Sequence, residues 1–531
     1  MRQIGSSIDL SSGVAKERYE QYLELVDKFE LIQREALAGG GRRYVERHIA
    51  RGKMLARARV EAILDDGSYF LELSTLAAYG SDYSVGASVI VGIGIVEGVE
   101  VLIVANDPTI KGGATNPFSL KKSLRALEIA GENRLPVIYM VESGGADLPT
   151  QSEIFIPGGA TFRDLTQLSS LGIPTIALVF GNSTAGGAYL PGMCDYAVLV
   201  EGRAKVFLGG PPLVYMATGE VADDESLGGA RMHSEVSGLG DYLAADELDA
   251  IAIGREIIES LGWKKLGKEP RSSFEEPRFD SEEMLGLIST DYKDPLDMYE
   301  VIARIVDGSR FSEYKSLYGT NIVCGFATLA GWEVGIVANN RGVIFSEEAK
   351  KATEFILLSN QRDTPLLFLT NTTGFIVGKS YEENGIIKDG AKMINAVSNS
   401  KVPHITINMS ASFGAGNYGM SGRAFAPRFV FSWPNAKSAV MGAAQLAGVL
   451  SIVARASTPK DQIFDEEADL IRRRAVEDQI TTEQEAPFMS GRLYDDGVID
   501  PRDTRSVLSI VLSAIFSNQV EGAKGYGVFR M

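Results

Sequence analysis

The sequence has few residues of the types that build metal centres and disulfides. It contains 2 cysteines and 3 histidines in 531 residues. Cys194 and Cys324 lie far apart, and neither has a neighbour at the spacing of a zinc ligand set. Low cysteine use is typical of the reducing cytosol. We therefore expect no metal site and no disulfide, and a cytoplasmic location.

Positive charge and long apolar runs are also lacking. The formal net charge is −17, which opposes binding to a nucleic-acid backbone or to anionic lipid. No run reaches the roughly 20 apolar residues of a membrane-spanning helix, and the start has no apolar core of a signal peptide. The composition, 45% apolar and 23% charged, is that of a globular protein. The length predicts two domains, with neither nucleic acid nor membrane as partner.

The common cofactor motifs are absent as well. There is no phosphate-binding P-loop, no HExxH zinc motif and no lysine in a biotin-attachment sequence. The segment 92–94 (GIG) fails the dinucleotide pattern because Glu97 stands where the third glycine is needed. These absences exclude the standard signatures of nucleotide hydrolysis, metalloprotease chemistry and dinucleotide binding.

One near miss to a serine-hydrolase motif is present. The segment 181–185 (GNSTA) resembles a nucleophile elbow, but Ala185 replaces the glycine that the sharp turn needs. Ser183 with His233 or His404 therefore remains an alternative. His404 lies inside a predicted strand and His233 in a polar loop, and both positions also fit structural roles.

The most informative feature is a pair of glycine-rich turns, 184–189 (TAGGAY) and 413–418 (FGAGNY). Each follows an apolar run that starts at a proline, Pro174 in one case and Pro403 in the other. The two prolines are 229 residues apart, as are the tyrosines that end the turns. Such runs predict buried strands that break into exposed backbone. The pair predicts one site built twice.

Other segments repeat in the same order, which indicates an internal duplication. The matches are 98–106 with 331–339, 136–140 with 365–369, Gly145 with Gly374, and 204–205 with 436–437. In each half, proline-led strands alternate with helical stretches, 118–132 and 346–361. This alternation favours an α/β fold with largely parallel pairing.

The duplication gives a division of the chain. We predict an N-terminal helical extension over 1–50, a first domain over 51–275 and a second over 290–531. The stretch 266–295 has linker composition, with three prolines and many charges. Local patterns predict helices at 15–37, 54–64 and 501–516, and strands at 89–96 and 100–105 joined at Gly98.

The turns could supply backbone N–H donors to a developing oxyanion. The small residues that would present them are Gly186, Gly187, Ala415 and Gly416. Close helix–strand packing also favours small residues, but two equivalent turns strengthen the functional interpretation. The strand-end loops 143–146 (SGGA) and 372–375 (TTGF) should flank the two sites. Upstream, a basic set could meet phosphates or form a solvated helix face: Lys111, Lys121, Lys122 and Arg125.

At these residues the sequence resembles the carboxyltransferase (β) subunits of biotin-dependent acyl-CoA carboxylases, closest to the methylcrotonyl- and geranyl-CoA branch. The resemblance covers nearly the whole chain. Its markers are 104–107 (VAND), 111–113 (KGG), 143–146 (SGGA), 181–191, 210–214 (GPPLV), 228–230 (GGA), 413–420 and 493–501 (LYDDGVIDP).

The resemblance implies two tandem crotonase-like (ClpP/crotonase) domains after the helical extension. It implies a homohexamer, or an assembly with a paralogue, and a biotin carboxylase/biotin carboxyl carrier (α) subunit that carries the biotin. Gly186 and Gly187 would hold the acyl-CoA thioester enolate, with Ser143, Gly144, Gly145, Ala146, Ala185 and Lys111 around the substrate. Ala415 and Gly416 would hold the ureido oxygen of biotin, with Thr373, Gly374, Phe375, Gly414 and Tyr418 around that group.

The implied chemistry needs no tuned acid or base from the protein, because the cofactor supplies the base. Tyr215 stands where the methylcrotonyl branch usually has lysine, and Cys194 and Ser421 are unusual at their places. The acyl group therefore stays open, with 3-methylcrotonyl-CoA or a related branched or unsaturated acyl-CoA expected. Two alternatives also stay open: a biotin-independent crotonase-type enzyme such as a decarboxylase, and a non-catalytic paralogue that acts as a scaffold.

Overall fold

Two eight-stranded mixed sheets follow one another along the chain. The structure is a computed structural model that describes residues 1–459 and 461–529. The strands, in chain order, are β1 (Arg2–Gln3), β2 (Phe70–Leu73), β3 (Val89–Val96), β4 (Val99–Asn106), β5 (Val137–Ser143), β6 (Thr175–Thr184), β7 (Tyr196–Val200), β8 (Lys205–Phe207), β9 (Tyr242–Ala244), β10 (Arg310–Tyr314), β11 (Ile322–Leu329), β12 (Trp332–Asn339), β13 (Val343–Ile344), β14 (Leu366–Thr372), β15 (Gly374–Phe375), β16 (His404–Phe413), β17 (Phe429–Ser432) and β18 (Lys437–Ala439).

Helices connect and cover these strands. In chain order they are α1 (Gly13–Leu37), α2 (Arg42–Ala50), α3 (Ala56–Ile63), α4 (Pro117–Asn133), α5 (Gln151–Ser170), α6 (Tyr189–Met193), α7 (Pro211–Thr218), α8 (Asp224–Gly228), α9 (Ala230–Met232), α10 (Glu247–Ser260), α11 (Met284–Leu287), α12 (Met298–Ile305), α13 (Ser346–Gln361), α14 (Lys379–Glu383), α15 (Ile386–Asn399), α16 (Gly414–Gly419), α17 (Ala443–Ala456), α18 (Glu466–Glu483), α19 (Ala486–Gly491) and α20 (Thr504–Ile515). Among the described residues, no helix has the length and apolar character needed to cross a bilayer.

The two sheets share the same order over seven corresponding strands and differ at the edges, where the first adds β9 beside β7 and the second adds β1 beside β10. The first runs β2-β3-β4-β5-β6-β7-β9, with β8 paired to β6, and the second runs β1-β10-β11-β12-β14-β16-β17, with β18 paired to β16. In each, an antiparallel hairpin leads into parallel strands joined by helical crossovers. The α/β fold and the duplication predicted from the sequence are therefore confirmed.

Several local predictions agree closely with the structure. The predicted helices at 15–37, 118–132 and 346–361 correspond to α1, α4 and α13. Gly98 turns the β3–β4 hairpin with a φ of +71°, a conformation that glycine adopts without steric cost. The predicted tail at 501–516 contains α20, which begins at Thr504 after a short 3₁₀ turn.

Two local details differ from the prediction. α2 lies inside the helical extension predicted over 1–50 but was not predicted as a separate helix, because its side chains are exposed except for His48 and the half-buried Val45 and it lacks the apolar stripe of a packed helix. The stretch 266–295 is not an exposed linker throughout. The apolar residues Met284, Leu285 and Leu287 are buried, because α11 packs against α1.

A buried ion pair ties the two halves together. The Arg125 guanidinium on α4 donates from Nε to Asp496 Oδ1 at 2.8 Å and from Nη2 to Asp496 Oδ2 at 3.0 Å. The same Nη2 also donates to the Arg428 carbonyl at 2.7 Å. Burial raises the pKa of Asp496, but Arg125, with smaller contributions from Arg423 and the Val430 N–H, outweighs burial and the net pKa is lowered. The segment after α19 is thereby fixed to the first half.

Replacing Asp496 with asparagine should strongly destabilise the protein, because it removes the buried charge partner of the Arg125 guanidinium and leaves only the partly exposed Glu128. We expect a loss of about 3–5 kcal/mol in the free energy of unfolding, measured as a fall in melting temperature at fixed protein concentration. Because the pKa of Asp496 is lowered in the folded state, this stabilisation is fully present above the ordinary carboxyl pKa. It disappears as the pH falls through the lowered pKa.

Glu128→Gln is the matched control for that change. Glu128 also contacts Arg125, at 2.7 Å, but its side chain is 42% exposed, so its loss should cost less than about 1 kcal/mol. An Asp496→Asn variant no less stable than Glu128→Gln would contradict the assignment of the buried pair as the tie between the halves.

Candidate active site

The first glycine-rich turn joins β6 to a short 3₁₀ helix over Ala185–Ala188. Ala185 adopts a φ of 54°, the left-handed region, which is unfavourable for a residue with a Cβ. This step redirects the backbone, and the helix that follows leaves its leading N–H groups without partners inside the helix. Ala185 and Gly186 are exposed and Gly187 is half-buried. The turn therefore presents backbone amides at the surface.

The second turn repeats this geometry 229 residues later. β16 leads into α16, and Gly414, the counterpart of Ala185, has a φ of 53°. Ala415 is exposed, whereas Gly416 is buried. A Cβ on Gly416 would lie 2.7 Å from Thr372 Cγ2 and 3.0 Å from Gly374 Cα, so only glycine fits there. The two turns share one backbone design.

The strand-end loops beside the two turns also have matching hydrogen bonds. Ser143 Oγ donates to the Gly113 carbonyl at 2.7 Å and accepts from the Gly145 N–H at 3.2 Å. In the second half, Thr372 Oγ1 donates to the Gly342 carbonyl at 2.9 Å and accepts from the Gly374 N–H at 3.1 Å. A hydroxyl residue thus fixes each loop through the same pair of bonds.

Each loop lies directly against its turn. A Cβ on Gly145 would be 3.2 Å from the Thr184 carbonyl oxygen, and one on Gly374 would be 3.7 Å from the Phe413 carbonyl oxygen. Both glycines have positive φ, 91° and 119°. The structure therefore brings each predicted loop together with its predicted turn.

The remaining predicted substrate residues of the first half surround this turn. Gly144 donates its N–H to the Gly112 carbonyl at 2.9 Å, and Ala146 pairs with Thr115 in a parallel bridge. Lys111 is exposed, and its Nζ lies 3.2 Å from Asp147 Oδ2. The loop with Lys111 and the loop 143–146 are thus joined by backbone bonds.

The remaining predicted residues of the second half occupy the matching region. Thr373 Oγ1 donates to the Gly342 carbonyl at 3.1 Å. The Phe375 ring packs beneath α16, with Cζ 3.3 Å from where a Cβ of Gly419 would be. Tyr418 is 47% exposed, the same fraction as its counterpart Tyr189. Both tyrosines are available at the edge of their turns.

Sequence reasoning missed two asparagine side chains that hold these loops. Each central strand has a register irregularity, between Val141 and Ser143 in β5 and between Thr370 and Thr372 in β14. The intervening residue donates its N–H to an asparagine, Glu142 to Asn106 Oδ1 at 3.3 Å and Asn371 to Asn339 Oδ1 at 3.1 Å. The repeated IVAN sequence that ends β4 and β12 was the available signal.

The predicted basic patch was wrong for two of its four members. Lys122 is buried, with Nζ 3.5 Å from the Gly86 carbonyl oxygen, and burial lowers its pKa to about 8. Arg125 is engaged by Asp496. Helical periodicity places both on the inner face of α4, so only Lys111 and Lys121 remain exposed.

The serine-hydrolase alternative was also wrong. Ser183 is buried and its Oγ donates to the Gly187 carbonyl at 2.9 Å. His233 Nε2 lies 2.6 Å from the Val206 carbonyl oxygen and its Nδ1 lies 2.7 Å from Ser237 Oγ. His404 lies between Ser421 and Ser400, each at 2.8 Å, and burial lowers its pKa to about 3. Both histidine rings are engaged by groups other than Ser183.

Comparison with known proteins identifies the class. The protein-family model of the carboxyl transferase domain matches residues 47–526 of this chain. The chain belongs to this family. The structure of the geranyl-CoA carboxylase β subunit of P. aeruginosa superposes with a TM-score of 0.91 at 40% identity, with all of both chains covered. This match confirms the predicted crotonase-like fold.

The relatives narrow the class to one kind of subunit. The chain is 61% identical to the probable biotin-dependent acyl-coenzyme A carboxylase beta2 subunit of Mycobacterium tuberculosis, over 99% of both chains. It is 47% identical to the mitochondrial methylcrotonoyl-CoA carboxylase beta chain of Dictyostelium discoideum, over 96% of this chain and 87% of that one. It is a carboxyltransferase β subunit of the biotin-dependent acyl-CoA carboxylases. The decarboxylase and scaffold alternatives are not favoured.

The two turns should respond differently to a single methyl group. In Gly416→Ala the new Cβ collides with Thr372 and Gly374, whereas in Gly187→Ala its nearest neighbour is Ser183 Oγ at an ordinary 3.8 Å. We expect Gly416→Ala to lose about 1–3 kcal/mol of stability through overpacking and Gly187→Ala to melt close to the wild type. Equal melting temperatures for the two variants would contradict the packing described for the second turn.

Proposed function

We propose that the first turn binds the thioester carbonyl of an acyl-CoA and the second binds the ureido oxygen of biotin. One observation carries this proposal: Ala185 and Gly414 make the same left-handed step, and each is followed by an exposed residue at the start of a helix, Gly186 in the first turn and Ala415 in the second. Backbone amides fixed in this way stabilise an oxyanion without reorganisation during the reaction. The donors would come from Gly186 and Gly187 in the first turn, and from Ala415 and Gly416 in the second.

The acyl-CoA would be held by the loops around the first turn. Ser143 and Gly145 fix the loop that lies against Thr184, and Gly144 and Ala146 form the same loop. Ala185 contributes the exposed start of the turn. Lys111 is a cation at the surface and could meet a phosphate of the coenzyme once it leaves Asp147.

The residues of the second half fit a small planar ligand. Gly414 and Gly374 supply backbone without side chains, half-buried at Gly414 and buried at Gly374. Thr373 has an exposed hydroxyl, and Tyr418 offers a half-exposed ring. Phe375 supports the turn from below. Biotin, when bound and carboxylated, supplies the carboxyl group and the base.

The chain's own tasks then follow from its geometry. The first turn stabilises negative charge on the thioester oxygen, and the second stabilises negative charge on the ureido oxygen. The loops orient the two ligands and exclude water from the reacting atoms. Because His404 is buried and neutral and His233 is engaged by Val206 and Ser237, neither ring is placed to act as a base in these tasks.

We propose that the working site forms between chains, the first half of one with the second half of another, in a homohexamer or an assembly with a paralogue. Apolar side chains near both turns support this. Phe155 of α5 is 75% exposed and Val440 is 74% exposed. α5 contacts the first turn through Phe162, 3.7 Å from the Gly186 Cβ position, and the Val440 carbonyl contacts Gly414. Such surfaces are usually covered.

The partner and substrate follow from the relatives. The biotin would arrive on a biotin carboxylase/biotin carboxyl carrier (α) subunit, since a biotin-attachment lysine is lacking. The acyl group would be branched or unsaturated, like that of 3-methylcrotonyl-CoA, as the names of similar chains suggest. Tyr215 is 61% exposed on α7 and is the residue that departs from that branch.

The direct test is fixation of labelled bicarbonate by the chain assembled with its biotinylated partner. We expect carboxylation of a branched or unsaturated acyl-CoA only when the partner, ATP and bicarbonate are all present, because this chain binds the two ligands but does not charge biotin. Avidin should abolish the reaction. Acyl-CoA decarboxylation by the isolated chain without biotin would instead support the decarboxylase alternative.

Gly187→Val should remove much of the carboxylation activity. The branched side chain would intrude where the thioester oxygen meets the amides, and loss of one oxyanion donor typically lowers kcat by about 10²–10³-fold. Gly187→Ala is the milder control, since its Cβ has ordinary contacts. Full activity of the assembled Gly187→Val complex would favour the scaffold alternative.

A further inference from the structure

Glu142 is the residue at which the loops around the first turn meet. It occupies the irregularity in β5, and its side chain is 9% exposed. Its N–H donates to Asn106 at the end of β4. Its carbonyl oxygen lies against the loop that contains Lys111, because a Cβ on Gly113 would be only 2.3 Å from it. The backbone of Glu142 thus contacts two of the elements that frame the proposed acyl-CoA site.

The carboxylate of Glu142 belongs to a buried charge cluster. It pairs with Lys53 and, at 2.8 Å, with Arg59 Nη2. The Arg59 side chain is fully buried, lies 4.5 Å from the Phe180 ring centre and donates from Nε to Glu247 Oε2 at 2.8 Å. The cluster therefore contains two cations and two anions. Both cations come from the segment that precedes the first sheet.

The same carboxylate packs against β6, the strand that leads to the first turn. A Cβ on Gly181 would lie 2.7 Å from Cγ, Cδ and Oε1 of Glu142. Gly181 is in β6, four residues before Ala185. The absence of a side chain at Gly181 lets the charged group lie flat on the backbone that carries the turn. Glu142, in β5, is therefore in contact with both neighbouring strands, β4 and β6.

The second half has the same backbone but not the charge. Asn371 takes the place of Glu142 and makes the equivalent bond to Asn339. Ser410 takes the place of Gly181, so the close approach is also missing. At this position, the duplicated framework thus carries a charged residue on the side that we assign to the acyl-CoA and a neutral one on the other side. Its presence there is not required by the fold.

We propose that Glu142 is a positioning residue for the carboxylation reaction, through its hold on the loop 143–146 and on the strand before Ala185. Neutralising it would leave Lys53 and Arg59 without their shared partner beside that loop. The loop and the turn would then shift relative to each other, and with them the thioester and its N–H donors. The inference rests on the proposed function, because it concerns the same acyl-CoA site.

The test uses the complete complex with the biotinylated partner. Glu142→Gln keeps the size of the side chain and both backbone contacts. We expect kcat for acyl-CoA carboxylation to fall by about 10²-fold, the usual effect of a misplacement near 1 Å. The KM values for ATP and bicarbonate should not change, because those sites lie on the partner. Glu142→Asp, which keeps the charge, should recover part of the loss.

Glu247→Gln is the matched control. It removes the other anion on Arg59 without contacting Gly181 or the loop 143–146, so it should lower the melting temperature about as much as Glu142→Gln. Its kcat should stay within about twofold of the wild type, because the residues around the turn keep their contacts. This pair of variants separates positioning from stability.

The inference is overturned if Glu142→Gln keeps the wild-type kcat, or if Glu247→Gln loses as much activity. If the Glu142→Gln variant does not assemble, Gly181→Ala tests the same inference. The added Cβ at position 181 would displace the Glu142 carboxylate while all four charges of the cluster remain, so we expect the same loss of kcat. A wild-type complex that carboxylates no acyl-CoA would overturn the proposed function as well. An active wild type with an unaffected Glu142→Gln overturns only the role of Glu142.

Discussion

The left-handed backbone step at the end of β6 and β16 is the constraint on which the rest of the site depends. Without it the chain would continue from the strand and keep its amides in the sheet. With it, the backbone leaves the strand direction and starts a helix whose leading N–H groups have no partner inside the helix; the first residues after the step, Gly186 and Ala415, are exposed. Gly414 makes this step at little cost, whereas Ala185 makes it against a steric penalty of about 1–2 kcal/mol. The surrounding bonds must hold Ala185 in place.

The duplication separates what the backbone does from what the side chains do. Hydroxyl, asparagine and glycine contacts that fix the loops recur at equivalent positions in both halves. The buried residues that pair across the central parallel strands of the two sheets differ. Val141, Val179 and Leu199 lie side by side in the first sheet, where Thr370, Asn408 and Ser432 lie in the second. A shared backbone framework thus has different surroundings at the two turns.

The sequence predicted the parts of the site that depend on local backbone chemistry. Apolar runs that start at a proline predicted the strands, and glycines at a matched offset predicted the turns. It did not predict contacts between segments distant in the chain, such as Arg125 with Asp496 or Arg59 with Glu142. The prediction of an exposed basic patch was wrong for two residues for the same reason. A lysine on the inner face of α4 looks like a surface lysine until the packing partner of that face is known.

The structure also bears on where specificity resides. Because both turns present the same backbone, the amides themselves cannot distinguish a thioester from a ureido group; the choice must come from the side chains around each turn. Charge around the first turn is concentrated in the cluster of Glu142 and in Lys111, while the second turn is bordered by Thr373, Phe375 and Tyr418. For the proposed ligands, the exposed cation Lys111 suits an anionic coenzyme, whereas the buried cluster pairs two cations with two anions and serves the framework. A small neutral ring suits the polar and aromatic side. The two halves have therefore diverged in the groups that surround the turns and kept the turns themselves.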